Sequence, residues 1–264
     1  MKIKIQLQNN GKNTGYFEIK AQDNIAELSI YGEISSDKWW GDEVTPTEIK
    51  ELLDTVKNKD LNIFINSSGR NVFAGLAIYH MLKRHEGKKK VYVDGVAASI
   101  ASIIAMAGDE IHIPKNAYLM IHRSWICTAG NKNDLLETIS MLEKMDINMA
   151  DIYKTKALTD ISNEKILELM DNETWLTGIE AQNYFDIVVD GENRTAACLD
   201  GLTPNDKMPE IFKAKLNKIE KSQSENKEEL KRIELEKAKL KLRLKMEDWL
   251  NEKVRFNKRR FKSS

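Results

Sequence analysis

Residues 91–102 read Val91-Tyr92-Val93-Asp94-Gly95-Val96-Ala97-Ala98-Ser99-Ile100-Ala101-Ser102. A short β-branched run, Val91 to Val93, predicts a buried strand. The apolar, small-residue stretch from Ser99 to Ala107 predicts a helix. The junction between them is crowded with Gly and Ala around one hydroxyl. A sharp strand-to-helix turn of this kind exposes a nucleophile and points the first helical amides at it. Such amides also stabilise an oxyanion. The same residues have a plainer reading: small side chains let helices pack closely, and Ser99 caps the helix.

Working outward, strands and helices alternate. Leu61 to Ile65 and Ile111 to Ile113 read as short strands, and Tyr118 to Ile121 as another. Phe73 to His85 reads as a helix with little polar face. Thr45-Pro46-Thr47-Glu48 is a capping box with Pro at the first helical position and starts a helix to about Lys57. Ala26 to Tyr31 is a strand, and residues 1–20 form a β-hairpin turning at Asn9-Asn10-Gly11. Leu135, Ile139, Leu142, Met145, Met149 and Ile152 recur at helical spacing and predict one long helix to Lys154. Ile161 to Met170 and Ile179 to Tyr184 are shorter helices. This alternation predicts an α/β fold of βαβ units with mostly parallel pairing.

A serine nucleophile needs a base, and the chain has four histidines. His80 and His85 fall on a helix and His112 inside a strand. His122 ends the apolar strand Tyr118–Ile121, where strand ends meet, although a lone histidine is equally a packing residue. The carboxylates of Asp171-Asn172-Glu173-Thr174-Trp175 are candidates to hold an imidazole tautomer, or they belong to a solvated turn. Asn66-Ser67-Ser68-Gly69-Arg70 reads as a turn able to aim backbone N–H groups into the same cleft.

The charge balance divides the chain. Formal net charge is zero, but Glu210 to Ser264 carries 18 Lys/Arg against 10 Asp/Glu and lacks Gly and Pro. The expected organisation is therefore a mildly acidic domain over residues 1–203 and a basic helical tail over residues 204–264. In the tail Leu230, Ile233, Leu240 and Leu244 form a stripe that Lys237 interrupts. Its basic end has too few interleaved aromatics for specific nucleic-acid binding, so nucleic acid is not an expected partner. No membrane-length apolar run and no secretory leader pattern occur, and two cysteines make no disulfide framework and no zinc cluster. A cytoplasmic protein without metal or cofactor is expected.

Taken in order, INSSGRNVFAGLAIY, VDGVAASIASIIAMAGDEIHIPKNAYLMIH and DNETWLTGIEAQNYF resemble the ClpP serine peptidases, the proteolytic subunits of the Clp protease, over Ala26 to Asp190. The ETWLT segment is most similar to the phage and prophage branch, the head-maturation proteases. The resemblance implies a ClpP/crotonase-like fold of stacked βαβ units, with the long helix as an arm that interlocks subunits. It implies Ser99 as nucleophile, His122 as general base and Glu173 as the acid. The family's usual acid is Asp, and Asp171 is the nearby substitute. It implies an oxyanion hole from the backbone N–H groups of Arg70 and Ile100, where Arg70 replaces a family Gly. It further implies a homo-oligomeric ring, commonly stacked heptamers, an AAA+ unfoldase partner in housekeeping members, and capsid or scaffold substrates in phage members. The expected activity is serine endopeptidase, ATP-independent or unfoldase-assisted, with His122 titrating near about 6.5. Two alternatives remain: a crotonase-fold acyl-CoA enzyme, and a relict structural or scaffolding protein.

Overall fold

The computed structural model describes residues 2–9, 12–22, 24–37 and 43–191, and beyond these 205, 207–210, 212–214 and 216. The chain divides into two compact units, Met1–Pro209 and Glu210–Ser264. Of the second unit, the short pieces described are helical. The leucine stripe and the basic end expected there lie outside the described residues.

The first unit is built on a ten-stranded sheet. Strands β1 (Lys2–Asn9) and β2 (Lys12–Gln22) form the expected antiparallel hairpin, and β2 pairs antiparallel with β3 (Ile25–Ile34). Every second residue of β3 turns inward: Ala26, Leu28, Ile30 and Ile34 are fully buried. The two-residue β4 (Glu43–Val44) adds parallel to β3. Helix α1 (Pro46–Asp54) starts as the cap predicts. Thr45 Oγ1 accepts the Glu48 N–H at 3.4 Å and donates to Glu48 Oε2 at 2.7 Å.

From β3 the sheet runs parallel through β5 (Asp60–Arg70), β6 (Lys89–Ala98), β7 (Glu110–Pro114) and β10 (Val188–Asp190). The crossovers are α1, α2 (Val72–Arg84) and α3 (Ile100–Ala105), which gives the alternating βαβ order read from the sequence. Ile63, Ile65, Val91 and Val93 of the strands pack with Ile78, Leu82, Ile103 and Ile104 of the helices, all fully buried. Removing one such side chain to Ala costs about 2–5 kcal/mol.

Strand β6 changes neighbours along its length. Residues 90–92 pair with β7, whereas 96–98 pair with β8 (Tyr118–Ile121). β8 in turn pairs antiparallel with β9 (Thr174–Thr177). The end of β6 is thus carried onto the β8–β9 branch of the sheet, and Ser99 lies just beyond it.

Two expectations are revised. Residues 66–70 are not a turn but the continuation of β5, paired with β3 through Gly69 and Arg70 and with β6 through Ser67. The buried Ser67 hydroxyl makes this feasible by donating to the Gly32 carbonyl at 2.6 Å. The helix expected over Ile179–Tyr184 is the four-residue α6 (Gly178–Ala181). Asp171 ends α5 (Asn163–Asp171), and Glu173 occupies the turn before β9 at φ 46. That β9 strand follows from pairing with β8 and has no signal of its own in four residues.

Candidate active site

Ser99 joins β6 to α3 with φ 55 and ψ −128. A non-glycine residue persists there only when its surroundings impose the conformation, at about 1–3 kcal/mol. The surroundings are visible. The Ser99 N–H donates to the Met120 carbonyl at 3.0 Å, and the Ser99 carbonyl accepts from the Ser102 N–H at 3.0 Å and the Ser102 hydroxyl at 2.5 Å. The Ser99 side chain makes no capping bond to α3. Its Oγ instead lies 2.7 Å from His122 Nε2. The plain capping role therefore does not describe this residue. Ser102, the other hydroxyl of the segment, is fully buried and held by Tyr153 Oη at 2.6 Å.

The parallel register explains the Ser99–His122 contact. Ala98 pairs with Met120. Ser99 is the first residue past β6 and His122 the first past β8, so the two strands deliver their next residues to one place. Burial lowers the proton affinity of His122 below the ordinary histidine value, opposed by the negative charges of Glu173 first and Asp146 second. The expectation of an unshifted imidazole gives way to this. The remaining histidines are elsewhere: His80 is exposed against Tyr79, His85 Nε2 lies 2.6 Å from the Lys59 carbonyl, and His112 stacks on Tyr92 and meets Asp190 at 3.2 Å.

The two candidate acids separate. Asp171 is held in a forked ion pair, with Arg123 Nε at 2.6 Å from Oδ1 and Nη2 at 2.9 Å from Oδ2. Those bonds hold its carboxyl below the usual range. Glu173 is the carboxylate with the larger effect on His122. Its Oε1 accepts from Asn205 Nδ2 at 2.6 Å, which fixes the side chain beyond the positive-φ turn.

Gly69 (φ 88) and Arg70 (φ 122) bring the end of β5 against the Ser99 turn. A Cβ on Gly69 would stand 2.6 Å from the Ala98 carbonyl oxygen and 3.0 Å from the Ile100 nitrogen, so only glycine allows this approach. The strained Arg70 is braced by its guanidinium, whose Nη1 lies 2.5 Å from Glu33 Oε2 and 4.0 Å from the buried Glu43. Ile100 is the first residue of α3, where an N–H has no partner inside the helix. Gly75 of α2 packs on Ile100, since a Cβ there would meet its Cγ1 at 2.2 Å.

Two supporting residues escaped the sequence reading. Asp146 and Tyr153 lie on α4 (Lys132–Lys154) with Met149 and Ala150 as its buried residues. The signal for Asp146 was a lone charge at positions 146, 149, 150 and 153, a helical stripe otherwise occupied by Met, Ala and Tyr.

The sequence pattern of the Clp protease family matches residues 23–190. The chain belongs to the Clp protease family. The chain is 28% identical over 181 residues to the ATP-dependent Clp protease proteolytic subunit of Bacteroides thetaiotaomicron, covering 64% of this chain and 81% of that protein. It is 32% identical over 151 residues to the corresponding subunit of Deinococcus radiodurans, covering 54% and 72%. Among solved structures it is similar to a point mutant of ClpP1 from Listeria monocytogenes, with TM-score 0.50, 26% identity and coverage of 63% and 91%. The fold is the ClpP fold, and the chain is a serine-type peptidase.

Proposed function

We propose that this peptidase cleaves peptide bonds through Ser99, His122 and Glu173, with the backbone N–H groups of Arg70 and Ile100 receiving the oxyanion. The observation that carries the reading is the 2.7 Å contact between Ser99 Oγ and His122 Nε2. Ser99 Oγ attacks the scissile carbonyl carbon while its proton passes to His122 Nε2. The carbonyl electrons move onto oxygen, and the two amides stabilise that charge. His122 then returns the proton to the leaving amine, and an acyl-ester on Ser99 remains. Water, deprotonated by His122, hydrolyses it. Glu173 orients the ring and favours its charged form. Ser99→Ala is expected to lower peptide hydrolysis by about three to six orders of magnitude. Turnover unchanged in that variant would overturn the reading.

The chain acts as a ring of identical copies. Support comes from α4, whose 23 residues span about 35 Å and whose described burial is confined to Asp146, Met149, Ala150 and Tyr153. Leu135, Leu136, Ile139 and Ile147 stand exposed along it, with Trp125 and Ile126 before it. Such an apolar surface belongs against another copy. An AAA+ unfoldase is the proposed feeding partner. The likeness of ETWLT to the phage branch supports capsid or scaffold proteins as substrates. The free Cys127 thiol fits a reducing cytoplasm.

A further inference from the structure

The base of a Ser-His pair works only if its ring is held in place, and the chain leaves His122 at the start of an irregular stretch. β8 ends at Ile121, and residues 122–131 belong to no helix or strand. No sheet ladder fixes the backbone beyond His122. A fastening exists two residues on. Asp146 Oδ1 accepts the Ser124 N–H at 2.8 Å, and Asp146 Oδ2 lies 3.4 Å from Arg123 Nη1. Arg123 is gripped from its other edge by Asp171. The segment leaving His122 is therefore clamped between α4 and the end of α5.

Asp146 is an unusual residue for its position. Its side chain is 7% exposed, and it is the one charged group among the four buried residues of α4. A buried carboxylate is costly unless it is paired and hydrogen-bonded. A neutral acceptor would serve for the Ser124 N–H; the charge is answered by Arg123 Nη1 at 3.4 Å and also acts on His122.

We propose that Asp146 is a positioning residue for the catalytic base: it clamps the main chain at Ser124, so setting where the His122 ring meets Ser99, and its negative charge favours the imidazolium that acyl transfer forms. This rests on His122 being the base. The ring touches the Ser99 hydroxyl from the β6–α3 junction, and the charges that act on it are those of Glu173 from the turn before β9 and Asp146 from α4, with Arg123 next in the chain. The charge of Asp146 acts on His122 in the same direction as that of Glu173.

The test uses the full-length protein, a fluorogenic peptide and a fluorophosphonate. The wild type must label on Ser99; failure there would sink the peptidase reading itself, whereas the Asp146 variants test the clamp alone. D146N keeps an acceptor for the Ser124 N–H and removes the charge. Its kcat/KM profile, whose acid limb reports the free base, is expected to shift to lower pH, with KM little changed. D146A loses the acceptor as well and is expected to lower kcat by about a hundredfold at every pH. An acid limb at the wild-type position in D146N would overturn the proposal. So would a D146N enzyme too slow for its limb to be located, because that variant retains the clamp. Should D146A fail to fold, the D146N profile decides alone.

Discussion

The Ser102 hydroxyl donates to the carbonyl oxygen of Ser99 at 2.5 Å, so the second serine of the segment serves the first. With its hydrogen committed there, Ser102 accepts from Tyr153 Oη at 2.6 Å, and burial pushes the Tyr153 hydroxyl well above its ordinary pKa. Tyr153 on α4 thereby reaches the backbone of the proposed nucleophile through one buried oxygen.

Tyr153→Phe removes the outer bond alone and leaves the Ser102–Ser99 bond in place. It is expected to lower unfolding stability by about 1 kcal/mol, measured by denaturant titration, because the Ser102 oxygen loses its donor. Ser102→Ala is expected to retain reaction with a fluorophosphonate. Loss of labelling in Ser102→Ala with retention in Ser99→Ala would exchange the roles of the two serines.

Peptide hydrolysis is expected to rise with pH through a midpoint below the ordinary histidine value of about 6.5. Burial of His122 disfavours its charged form, and the neutral ring that accepts the serine proton persists to lower pH. A kcat/KM profile from pH 4.5 to 8 checks this, at about constant ionic strength. A midpoint above 6.5 would mean that the carboxylates outweigh burial.

The two acidic residues before Trp175 are expected to differ in effect. Glu173→Gln should reduce turnover by about two to four orders of magnitude with the assembly intact. Asp171→Asn should cost less than about tenfold, since Asp171 is engaged with Arg123 and Asn retains one acceptor. Steady-state kinetics beside light scattering would separate chemistry from assembly. The reverse ranking would hand the acid role to Asp171.

Arg70 contributes its N–H in the proposed mechanism, and its side chain braces a strained backbone. Arg70→Gly relieves the positive φ and is expected to keep peptide turnover within a few-fold. Arg70→Ala keeps the strain and loses the brace, and it should unfold at lower denaturant than Arg70→Gly, by about 1 kcal/mol. Equal stability of the two variants would mean that the φ of 122 carries no penalty.

Much of the fold was legible because the signals were local. Thr45 and Pro46 announce α1 by cap chemistry, and the β-branched runs announce the parallel strands. The place of His122, just past a buried strand, was legible too; that β6 runs on to Ala98 and hands over directly to Ser99 was not, since the strand was read only over Val91–Val93. What was not legible depends on distant partners. Residues 66–70 look like a turn because Asn, Ser and Gly favour turns. They run as strand because the Ser67 hydroxyl finds the Gly32 carbonyl 35 residues away. β9 exists only by pairing with β8. Asp171 and Glu173 would share one side in an extended segment. A helix end and a positive-φ turn separate them instead, and Arg123, 48 residues earlier, claims the first.

The most direct measurement of the central claim is the site of covalent modification by a fluorophosphonate, mapped by mass spectrometry in the wild type, Ser99→Ala and His122→Ala. One adduct on Ser99 is expected in the wild type, none in Ser99→Ala, and labelling slowed by at least about a hundredfold in His122→Ala. An adduct on another residue, or equal labelling with and without His122, would contradict it.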